Sequence, residues 1–426
     1  MLKRKPIITT LLLTFSISIF ASSAKIVKAD EISDAKPPTI HGKAAVTIDY
    51  DTGEVIYAKN GDEKKYPAST TKLMTGLLLA ENKSPNDSLE YTQSAKKQPE
   101  YALNVNFKPQ TVGSKMSADD VMKALLMFSA NDAAYMISDS VSGNSKAFSD
   151  LMNNKAKEIG MINTHFITPN GLHNDDHYST AYDLSVLGRA AFENSWVSDV
   201  MKTDKAQIHL GDGSIVNLEN RNKGLGKDGN IGGKTGYTTP AGRCLVSVYE
   251  RDGRKIVGAV LQSQYDANDQ IVFDDMNKIM DYSYKAEKVP AFKAGTEIDK
   301  ITVNYKPFKF FGPTKTIDVP LVLTEDVSYY NNEINKKDLK TTINITDVDA
   351  WNLAGNNNLL KLKVSERVYE KDYNLKANIT KGTLFKANIG LYIVSLIVIA
   401  VIIILILLII KLISGRRHRR KRRIRF

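Results

Sequence analysis

A serine and a lysine stand three residues apart at the start of an apolar stretch, and together they could perform nucleophilic catalysis. Residues 66–74 read Tyr-Pro-Ala-Ser-Thr-Thr-Lys-Leu-Met, and three leucines follow at 77–79. On a helix this spacing places Ser69 and Lys72 on one face, close enough to share a proton. A serine hydroxyl needs a base to become a nucleophile, and a neutral amine can be that base. We therefore interpret Ser69 as a candidate nucleophile and Lys72 as its base.

The same spacing of serine and lysine also occurs where catalysis is not expected. It is found at Ser22–Lys25, Ser33–Lys36 and Ser94–Lys97, and none of these pairs opens an apolar helix. An ordinary helix with a serine cap and an unrelated lysine is therefore an open alternative for residues 69–72. The helix start favours catalysis, because its unpaired backbone N–H groups can stabilise an oxyanion.

A second candidate group lies in a predicted short loop between two apolar helices. Residues 129–132 read Ser-Ala-Asn-Asp, and apolar residues with helical spacing stand on both sides. A loop on a rigid helical base can present the side chains of Ser129 and Asn131 to a ligand. A simple turn between helices is the alternative, since the Ser-x-Asn pattern also occurs at Ser84 and Ser142.

A third candidate group lies on a glycine-rich strand. Residues 229–237 read Gly-Asn-Ile-Gly-Gly-Lys-Thr-Gly-Tyr. The glycines, including Gly236 just before Tyr237, allow the backbone of a ligand to approach the strand closely. Lys234 and Thr235 offer a cation and a hydroxyl, which suit a carboxylate. The alternative is a glycine-rich turn with an exposed lysine.

The elements that must position these groups follow from hydrophobic periodicity. Residues 83–116 are predicted to be mostly polar loop, with weak strand signals around Val105 and Val112. From 289 to 380, alternating Val, Ile and Thr predict a small all-β domain. Further strands are predicted at 44–50, 54–58, 243–250 and 255–262, a hairpin at 206–218, and helices after Ser69 and at 117–128, 133–137, 145–159, 179–192 and 269–284.

Both ends of the chain carry segments typical of membrane targeting. Residues 1–29 combine a positive start with a short apolar run and read as a signal peptide, with an uncut signal anchor as the alternative. A leader at 30–42 follows. Residues 389–410 carry no charge and are long enough to span a bilayer. The basic tail at 411–426 predicts a single-pass membrane protein with a cytoplasmic C-terminus and an extracellular main body.

The net charge of +11 is concentrated at these two ends. Residues 1–29 hold five lysines and arginines and residues 411–426 hold nine, and without them the main body has a net charge of −3. We therefore expect no nucleic-acid partner, because a basic cluster directly after a spanning helix is typical of a topology signal. The single cysteine, Cys244, excludes an internal disulfide and reads as a buried apolar residue.

A metal site was considered at one pair of histidines. His173 and His177 stand four residues apart, which is a spacing that zinc sites use. Their segment is rich in turn residues, however, and no glutamate accompanies the pair. We therefore predict no metal and no other cofactor.

The three candidate groups occur in the order found in penicillin-binding proteins and class A β-lactamases. Over about residues 40–285 the chain resembles the low-molecular-mass penicillin-binding proteins of the serine-type D-alanyl-D-alanine carboxypeptidase family. Matching segments also lie at 163–166, 170–172 and 178–184. Residues 289–380 resemble the family's second domain only loosely, and a full spanning helix departs from the amphipathic anchor common in the family.

The resemblance implies an α/β fold of the penicillin-binding-protein/β-lactamase-like transpeptidase type. An antiparallel five-stranded sheet would lie between helices, with a helical lobe beside it, over residues 43–286. The implied activity is removal of the terminal D-alanine from peptidoglycan stem peptides through an acyl-enzyme. The resemblance also implies acylation by β-lactam antibiotics, which act as inhibitors of such enzymes.

The resemblance further implies catalytic roles for several residues. Lys72, kept neutral by its apolar surroundings and by Lys234, would take the proton of Ser69. Backbone N–H groups of Ser69 and Tyr237 would hold the oxyanion, and Ser129 would relay the proton to the leaving D-alanine.

The implied substrate-binding residues surround the same cleft. Asn131 would orient the substrate amide, and Lys234 and Thr235 would hold the terminal carboxylate. Gly236 and Tyr237 would complete the binding strand.

Three other functions are compatible with parts of this pattern. A β-lactamase would need a general base for deacylation, and no Glu-x-x-x-Asn occurs between residues 131 and 234. A D,D-transpeptidase would use the same residues with an amine as acceptor. A membrane-tethered, non-catalytic wall-binding module would need neither Ser69 nor Lys72.

Overall fold

The structure is a computed structural model that describes residues 36–345, 348–355 and 360–423, with side chains described as far as Arg416. The predicted signal peptide and residues 30–35 of the predicted leader lie outside the described residues. The side chains of the predicted basic tail beyond Arg416 do so as well.

A five-stranded antiparallel sheet forms the centre of the larger body, in the order β2-β1-β9-β8-β7. Two short ribbons, β3 with β4 and β5 with β6, lie outside it. The strands predicted at 44–58 and between 229 and 262 are confirmed, as is the hairpin at 206–218. The strands are β1 Ala44–Asp49, β2 Val55–Lys59, β3 Ser88–Glu90, β4 Lys115–Ser117, β5 Lys205–His209, β6 Ile215–Glu219, β7 Asn230–Thr238, β8 Gly242–Arg251 and β9 Arg254–Ser263.

Helices cover both faces of this sheet. A 3₁₀ turn at Ala68–Thr71 precedes α1, and a single π turn at Ala124–Phe128 follows α4. The helices are α1 Lys72–Asn82, α2 Gln93–Lys96, α3 Leu103–Asn106, α4 Ala118–Lys123, α5 Asn131–Ser142, α6 Ser145–Glu158, α7 Ala181–Glu193, α8 Ser195–Lys202 and α9 Ile271–Lys285.

The strands are buried on both faces because successive side chains enter two different cores. On β1, Val46 and Ile48 belong to the core shared with α1, α5 and α7, whereas Ala45 belongs to the core under α9. The same alternation separates Val246 from Leu245 on β8. The predicted antiparallel five-stranded sheet between helices is thereby confirmed.

Two local predictions were wrong. The segment expected to be loop with strand signals near Val105 and Val112 instead forms two short helices, α2 and α3, between strands β3 and β4. Val105 lies in α3, where the Asn106 side chain accepts the backbone N–H of Ala102 at 2.9 Å and closes the turn. Helix α8 was not predicted, although Asn194 caps it by accepting the N–H of Val197.

A second antiparallel sheet follows, with a core of its own. Its order is β11-β12-β16-β15-β14, and a separate ribbon pairs β10 with β13. Two six-residue helices interrupt the strands. The elements are β10 Val289–Phe292, β11 Glu297–Tyr305, β12 Lys315–Leu323, β13 Val327–Tyr329, α10 Glu333–Asp338, β14 Lys340–Asn344, α11 Ala350–Gly355, β15 Leu360–Glu366, β16 Tyr369–Ala377 and α12 Lys381–Ala387.

The second sheet is joined to the first by buried polar contacts at the edge strand β2. The side-chain amides of Asn332 and Asn335 donate to the carbonyl of Val55 at 2.9 and 2.8 Å. The guanidinium of Arg367 bridges Asp62 and Asp338. Helix α10 thus covers an edge that would otherwise expose unpaired backbone groups.

The chain ends in one long helix, α13 Ile389–Arg423. Its part from Ile389 to Arg416 is long and apolar enough to cross a membrane. The most apolar stretch of this part is not buried against the rest of the protein. The side chains of this part are therefore free to face lipid.

Candidate active site

Ser69 lies on a tight turn that leads directly into α1. The turn covers Ala68–Thr71, and the hydroxyl of Thr70 closes it by donating to the carbonyl of Pro67 at 2.7 Å. Ala68 has a left-handed backbone conformation with φ of 49°. Such a conformation costs a non-glycine residue roughly 1–2 kcal/mol. The surrounding contacts must therefore hold this turn in place.

The segment 167–177 packs behind the turn and supplies those contacts. A Cβ atom at Gly171 would stand 2.0 Å from the carbonyl oxygen of Ala68, so only glycine fits there. Nδ1 of the buried His177 accepts the N–H of Ile167, so Nε2 donates to the hydroxyl of Thr71 at 2.9 Å. Burial lowers the pKa of His177 to about 3, which keeps the ring neutral.

Lys72 lies directly beneath Ser69 and is fully buried. Its Nζ is 2.9 Å from the Ser69 Oγ, 2.9 Å from the Asn131 Oδ1 and 2.9 Å from the carbonyl oxygen of Asn170. The predicted pair is therefore in direct contact. Three separate parts of the chain meet at this one nitrogen.

The two other partners of Lys72 decide which way a proton can move. The Asn131 Nδ2 donates to the carbonyl of Glu100, so its Oδ1 must face Lys72. That Oδ1 and the carbonyl of Asn170 can only accept hydrogen bonds. A neutral Lys72 amine would give its two N–H groups to these acceptors and keep its lone pair for the hydroxyl proton of Ser69. The geometry thus suits Lys72 as the base.

The surroundings of Lys72 favour this neutral form. Its pKa is lowered to about 7, chiefly by burial and also by the nearby guanidinium of Arg221, while Asp132 acts in the opposite direction. The sequence analysis assigned the positive neighbour to Lys234, and Arg221 was missed. Lys72 in turn lowers the pKa of Lys234, where burial is again the largest cause.

Ser129 and Asn131 lie where two helices meet, as predicted. Ser129 ends the π turn with φ of 77°, and Asn131 begins α5. The backbone N–H of Asn131 donates to the carbonyl of Tyr101 at 2.6 Å. A left-handed serine is strained, and such strain is common where a side chain is aimed at a ligand. Ser129 lines the same cleft as Ser69.

The glycine-rich strand β7 passes close to the backbone of Ser69. A Cβ atom at Gly236 would stand 3.0 Å from both the carbonyl oxygen of Pro67 and the backbone nitrogen of Ser69. Any larger residue would push the strand away from the turn. The next residue, Tyr237, is half exposed and packs on the ring of Tyr265, with 4.9 Å between the ring centroids.

The predicted carboxylate ligands Lys234 and Thr235 lie at different depths beside the cleft. Lys234 is 1% exposed, and its Nζ donates to the carbonyl of Thr235 at 3.0 Å. Thr235 lines the cleft, together with the side chains of Arg221 and Arg243. Arg243 pairs with Asp269. Lys234 therefore lies behind the wall that Thr235, Arg221 and Arg243 present to a ligand.

The cleft is a small polar cavity of about 140 Å³ between the helical lobe and strand β7. Of the eight predicted site residues, six line it, while Lys72 and Lys234 lie beneath its surface. The lining residues are Ser69, Tyr101, Ser129, Asn131, Leu172, Arg221, Thr235, Gly236, Tyr237, Arg243, Tyr265 and Asp269.

The histidine pair considered for metal binding is not arranged as a metal site. His177 has both ring nitrogens in hydrogen bonds, whereas His173 packs edge-on against the ring of Tyr66, with 4.7 Å between the centroids. Within the part of the chain that the structure describes, no three His, Cys, Asp or Glu side chains form a metal-binding group. Cys244 is fully buried and burial raises its pKa to about 11, which confirms it as an unreactive apolar residue.

Several residues of the site were not predicted from the sequence, and three of them bear directly on its chemistry. Asn170 contributes a backbone carbonyl, which no side-chain pattern reveals. Arg221 lies in the return from the β5–β6 hairpin, and its guanidinium stacks on the ring of Tyr101 at 4.4 Å. Arg243 is the second residue of β8. The alternating apolar pattern predicted this strand but did not show that the Arg243 side chain faces the cleft.

Comparisons with known proteins agree with this geometry. The sequence profile of a family described as D-alanyl-D-alanine carboxypeptidase, peptidase family S11, matches residues 31–265. The chain is 29% identical over 344 residues to the D-alanyl-D-alanine carboxypeptidase DacF of Bacillus subtilis, covering 78% of this chain and 86% of that protein. It is 31% identical over 270 residues to DacD of Escherichia coli, a D-alanyl-D-alanine carboxypeptidase, covering 61% and 67%.

Solved structures show the same fold. The Streptomyces K15 DD-transpeptidase is 29% identical and superposes with a TM-score of 0.53, covering 59% of this chain and all of that one. A penicillin-binding protein homologue from Mycobacterium tuberculosis is 25% identical, with a TM-score of 0.56 and coverage of 61% and 97%. In both comparisons the matched length is about the length of the body formed by the first sheet and its helices.

The lowered pKa of Lys72 predicts how acylation of Ser69 depends on pH. The base works only when neutral, so the acylation rate by a small thioester should rise about tenfold per pH unit below pH 7 and level off above it. Arg221→Gln removes a nearby positive charge and should move this inflection to higher pH. Arg221→Lys, which keeps the charge, should leave it nearly unchanged. Equal inflections in the wild type and in Arg221→Gln would show that Arg221 does not tune Lys72.

Proposed function

Because the chain belongs to the D-alanyl-D-alanine carboxypeptidase family of serine peptidases, S11, we propose that it removes the terminal D-alanine from pentapeptide stems of peptidoglycan. The observation that carries this proposal is the contact of the buried Lys72 amine with Ser69, Asn131 and Asn170. We further propose that β-lactams acylate Ser69, since they offer a strained amide to the same nucleophile.

Acylation begins with proton transfer inside this contact. Lys72 takes the hydroxyl proton as the Oγ of Ser69 attacks the carbonyl carbon of the D-Ala–D-Ala bond. The new C–O bond forms a tetrahedral intermediate, whose oxyanion lies near the backbone N–H groups of Ser69 and Tyr237. The closeness of Gly236 to the Ser69 backbone supports this placement, because it brings the two N–H groups to one side of the cleft.

Collapse of the intermediate breaks the C–N bond and releases D-alanine. The amine needs the proton now held by Lys72, and we assign its transfer to the hydroxyl of Ser129, which lines the cleft beside Ser69. Asn131 orients the substrate amide while it holds Lys72. Water then attacks the ester, with Lys72 again as base, and the stem peptide leaves with a new carboxylate while Ser69 regains its proton.

The terminal carboxylate of the substrate is assigned to the wall formed by Thr235, with Lys234 behind it. Lys234 is buried, and burial together with the nearby Lys72 lowers its pKa, which disfavours its charged form in the free enzyme. An arriving carboxylate favours the protonated form of Lys234. That positive charge in turn keeps Lys72 neutral. The substrate thus promotes the form of Lys72 that activates Ser69.

Transfer to an amine is the second candidate reaction. It is favoured by the likeness in fold to the Streptomyces K15 DD-transpeptidase. The acyl-enzyme would be the same, and an amine in place of water would accept the peptide. Adding an amino-acid acceptor during turnover distinguishes the two, because only a transpeptidase forms the new amide in proportion to D-alanine released.

The membrane-spanning helix and its basic end support a position at the cell surface. We propose a single-pass topology with the catalytic cleft on the extracellular, wall-facing side and the C-terminus in the cytoplasm. Arginines after α13 favour the cytoplasmic side. This places the cleft in the compartment where peptidoglycan stems are found.

Covalent labelling tests the nucleophile. A fluorescent penicillin is expected to label the wild type but not Ser69→Ala. Ser94→Ala is the control and should be labelled like the wild type, because Ser94 is the serine of the other Ser-x-x-Lys pair among the described residues. Ser69→Ala should also lose the release of D-alanine from a pentapeptide. Labelling that persists in Ser69→Ala, or that maps to another serine, would refute the assignment.

A second test concerns the carboxylate. Lys234→Gln should lower kcat/KM on D-Ala–D-Ala peptides roughly 10- to 150-fold, since a charge-assisted hydrogen bond contributes on the order of 1.5–3 kcal/mol and about 1.4 kcal/mol is a factor of ten. Lys227→Gln, at an exposed position, is the matched control. The loss should shrink sharply on an ester substrate without the terminal carboxylate. Equal losses on both substrates would mean that Lys234 acts only by tuning Lys72.

Cysteine labelling tests the topology. The parent chain is a clean background, because its single cysteine is fully buried. In intact cells a membrane-impermeant maleimide should label Lys371→Cys, on the exposed face of β16, and should label Arg425→Cys only after permeabilisation. The reverse pattern would overturn the proposed orientation.

A further inference from the structure

An apolar groove lies where the second sheet meets the spanning helix. One wall is the connection between β11 and β12, residues 306–314, which we call the hairpin tip. The other wall is the face of α13 that carries Tyr392, Ser395, Leu396 and Ile399. The groove has a volume of about 650 Å³, within the range of small-molecule sites.

The hairpin tip is fixed to the helix by specific hydrogen bonds. The hydroxyl of Tyr392 donates to the carbonyl of Pro307 at 2.6 Å, and the indole N–H of Trp351 donates to the carbonyl of Lys306 at 2.7 Å. The ring of Phe308 packs edge-on against Tyr392, with 5.2 Å between centroids. The two walls therefore form one rigid unit rather than a chance contact.

The hairpin tip also exposes large aromatic side chains. Phe310 is 78% exposed and Phe311 is 65% exposed, while Phe385 on α12 is 54% exposed. Water is a poor environment for such a cluster, and exposed apolar patches of this kind mark contacts with a partner or a membrane. Its continuity with α13 identifies the membrane as the surrounding medium.

The position along α13 gives the depth of the groove. Ile399 lies ten residues past Ile389, which is about 15 Å along a helix. The uncharged stretch from Ile389 to Ile410 is about as long as the hydrocarbon core is thick. The inner end of the groove is therefore within the outer leaflet, where acyl chains are available to fill it.

The charges at the groove select among the lipids. Lys309 and Lys381 line it, and no acidic residue does. Lysine stems can lie along apolar surface while their ammonium groups reach the phosphate layer. We propose that the groove binds one acyl chain of an anionic phospholipid of the outer leaflet, with Lys309 and Lys381 at its phosphate. The bound lipid fixes the height of the second sheet on the membrane.

Tryptophan fluorescence can test this, because the chain has two tryptophans and one of them, Trp351, lines the groove. In Trp196→Phe, reconstituted as the full chain in bilayers, Trp351 is the only reporter. Phosphatidylglycerol with a brominated acyl chain should quench it at a lower mole fraction than equally brominated phosphatidylcholine. We expect about fivefold preference for each lysine that contacts the phosphate. Trp351→Phe, which leaves Trp196 in the catalytic body, should show no quenching.

Two further variants make the result decisive. Lys309→Gln with Lys381→Gln should abolish the preference for phosphatidylglycerol, and Ser395→Phe, which fills the groove, should reduce quenching by both lipids. Hydrolysis of a soluble D-Ala–D-Ala peptide should be unchanged in all of them, which separates this inference from the proposed activity. Equal quenching by the two lipids would overturn the site. It would also be overturned if neither lipid quenched Trp351 and Ser395→Cys formed a cross-link between two copies of the chain, because a second copy would then occupy the groove.

Discussion

Burial of the Lys72 amine is the constraint on which the active site depends. An isolated ammonium in an apolar interior is costly, so the group loses charge or must be fully paired. Here it meets the hydroxyl of Ser69 on the turn before α1 and two acceptors, one at the start of α5 and one in the segment before Gly171. The same arrangement that makes the amine tolerable inside the protein also aims its lone pair at Ser69. Stability of the buried group and reactivity of the serine therefore have one structural cause.

Two strained residues show how firmly the scaffold holds this arrangement. Ala68 and Ser129 both adopt left-handed backbone conformations, one immediately before the nucleophile and the other at the opposite wall. Conformations of this kind cost on the order of 1–3 kcal/mol each and persist where the surroundings determine them. Gly171 and Gly236 press against the turn that carries Ser69, and the apolar helices α1 and α5 anchor both sides. The core thus maintains a geometry that the local chain would not choose.

Sequence reasoning was strongest where the chemistry is local. The pairing of Ser69 with Lys72 could be predicted from one helical spacing. The strands of the sheet could be predicted because each one shows the alternation of side chains within its own sequence. It failed for Arg221, because this residue reaches the cleft only after the β5–β6 hairpin folds back, and for the carbonyl of Asn170, which has no residue-type signal. Val105 lay in a predicted polar loop with only a weak strand signal, which β-branched residues give, yet a side-chain cap and short-range hydrogen bonds form helix α3 there.

The two edge strands of the catalytic sheet differ in what lies against them. The contacts at one of these edges lead from the catalytic sheet to the start of α13. Edge strand β2 is covered by α10, where Asn335 within the helix and Asn332 just before it satisfy the strand's carbonyl at Val55. Edge strand β7 lies against the Ser69 turn and keeps its outer side at the cleft. From β2 the contacts continue through the second sheet to Asn388, which holds Tyr305 and Lys315 at the start of the spanning helix. Because each link is a hydrogen-bonded element rather than a free linker, these contacts fix the direction of the cleft relative to the start of α13.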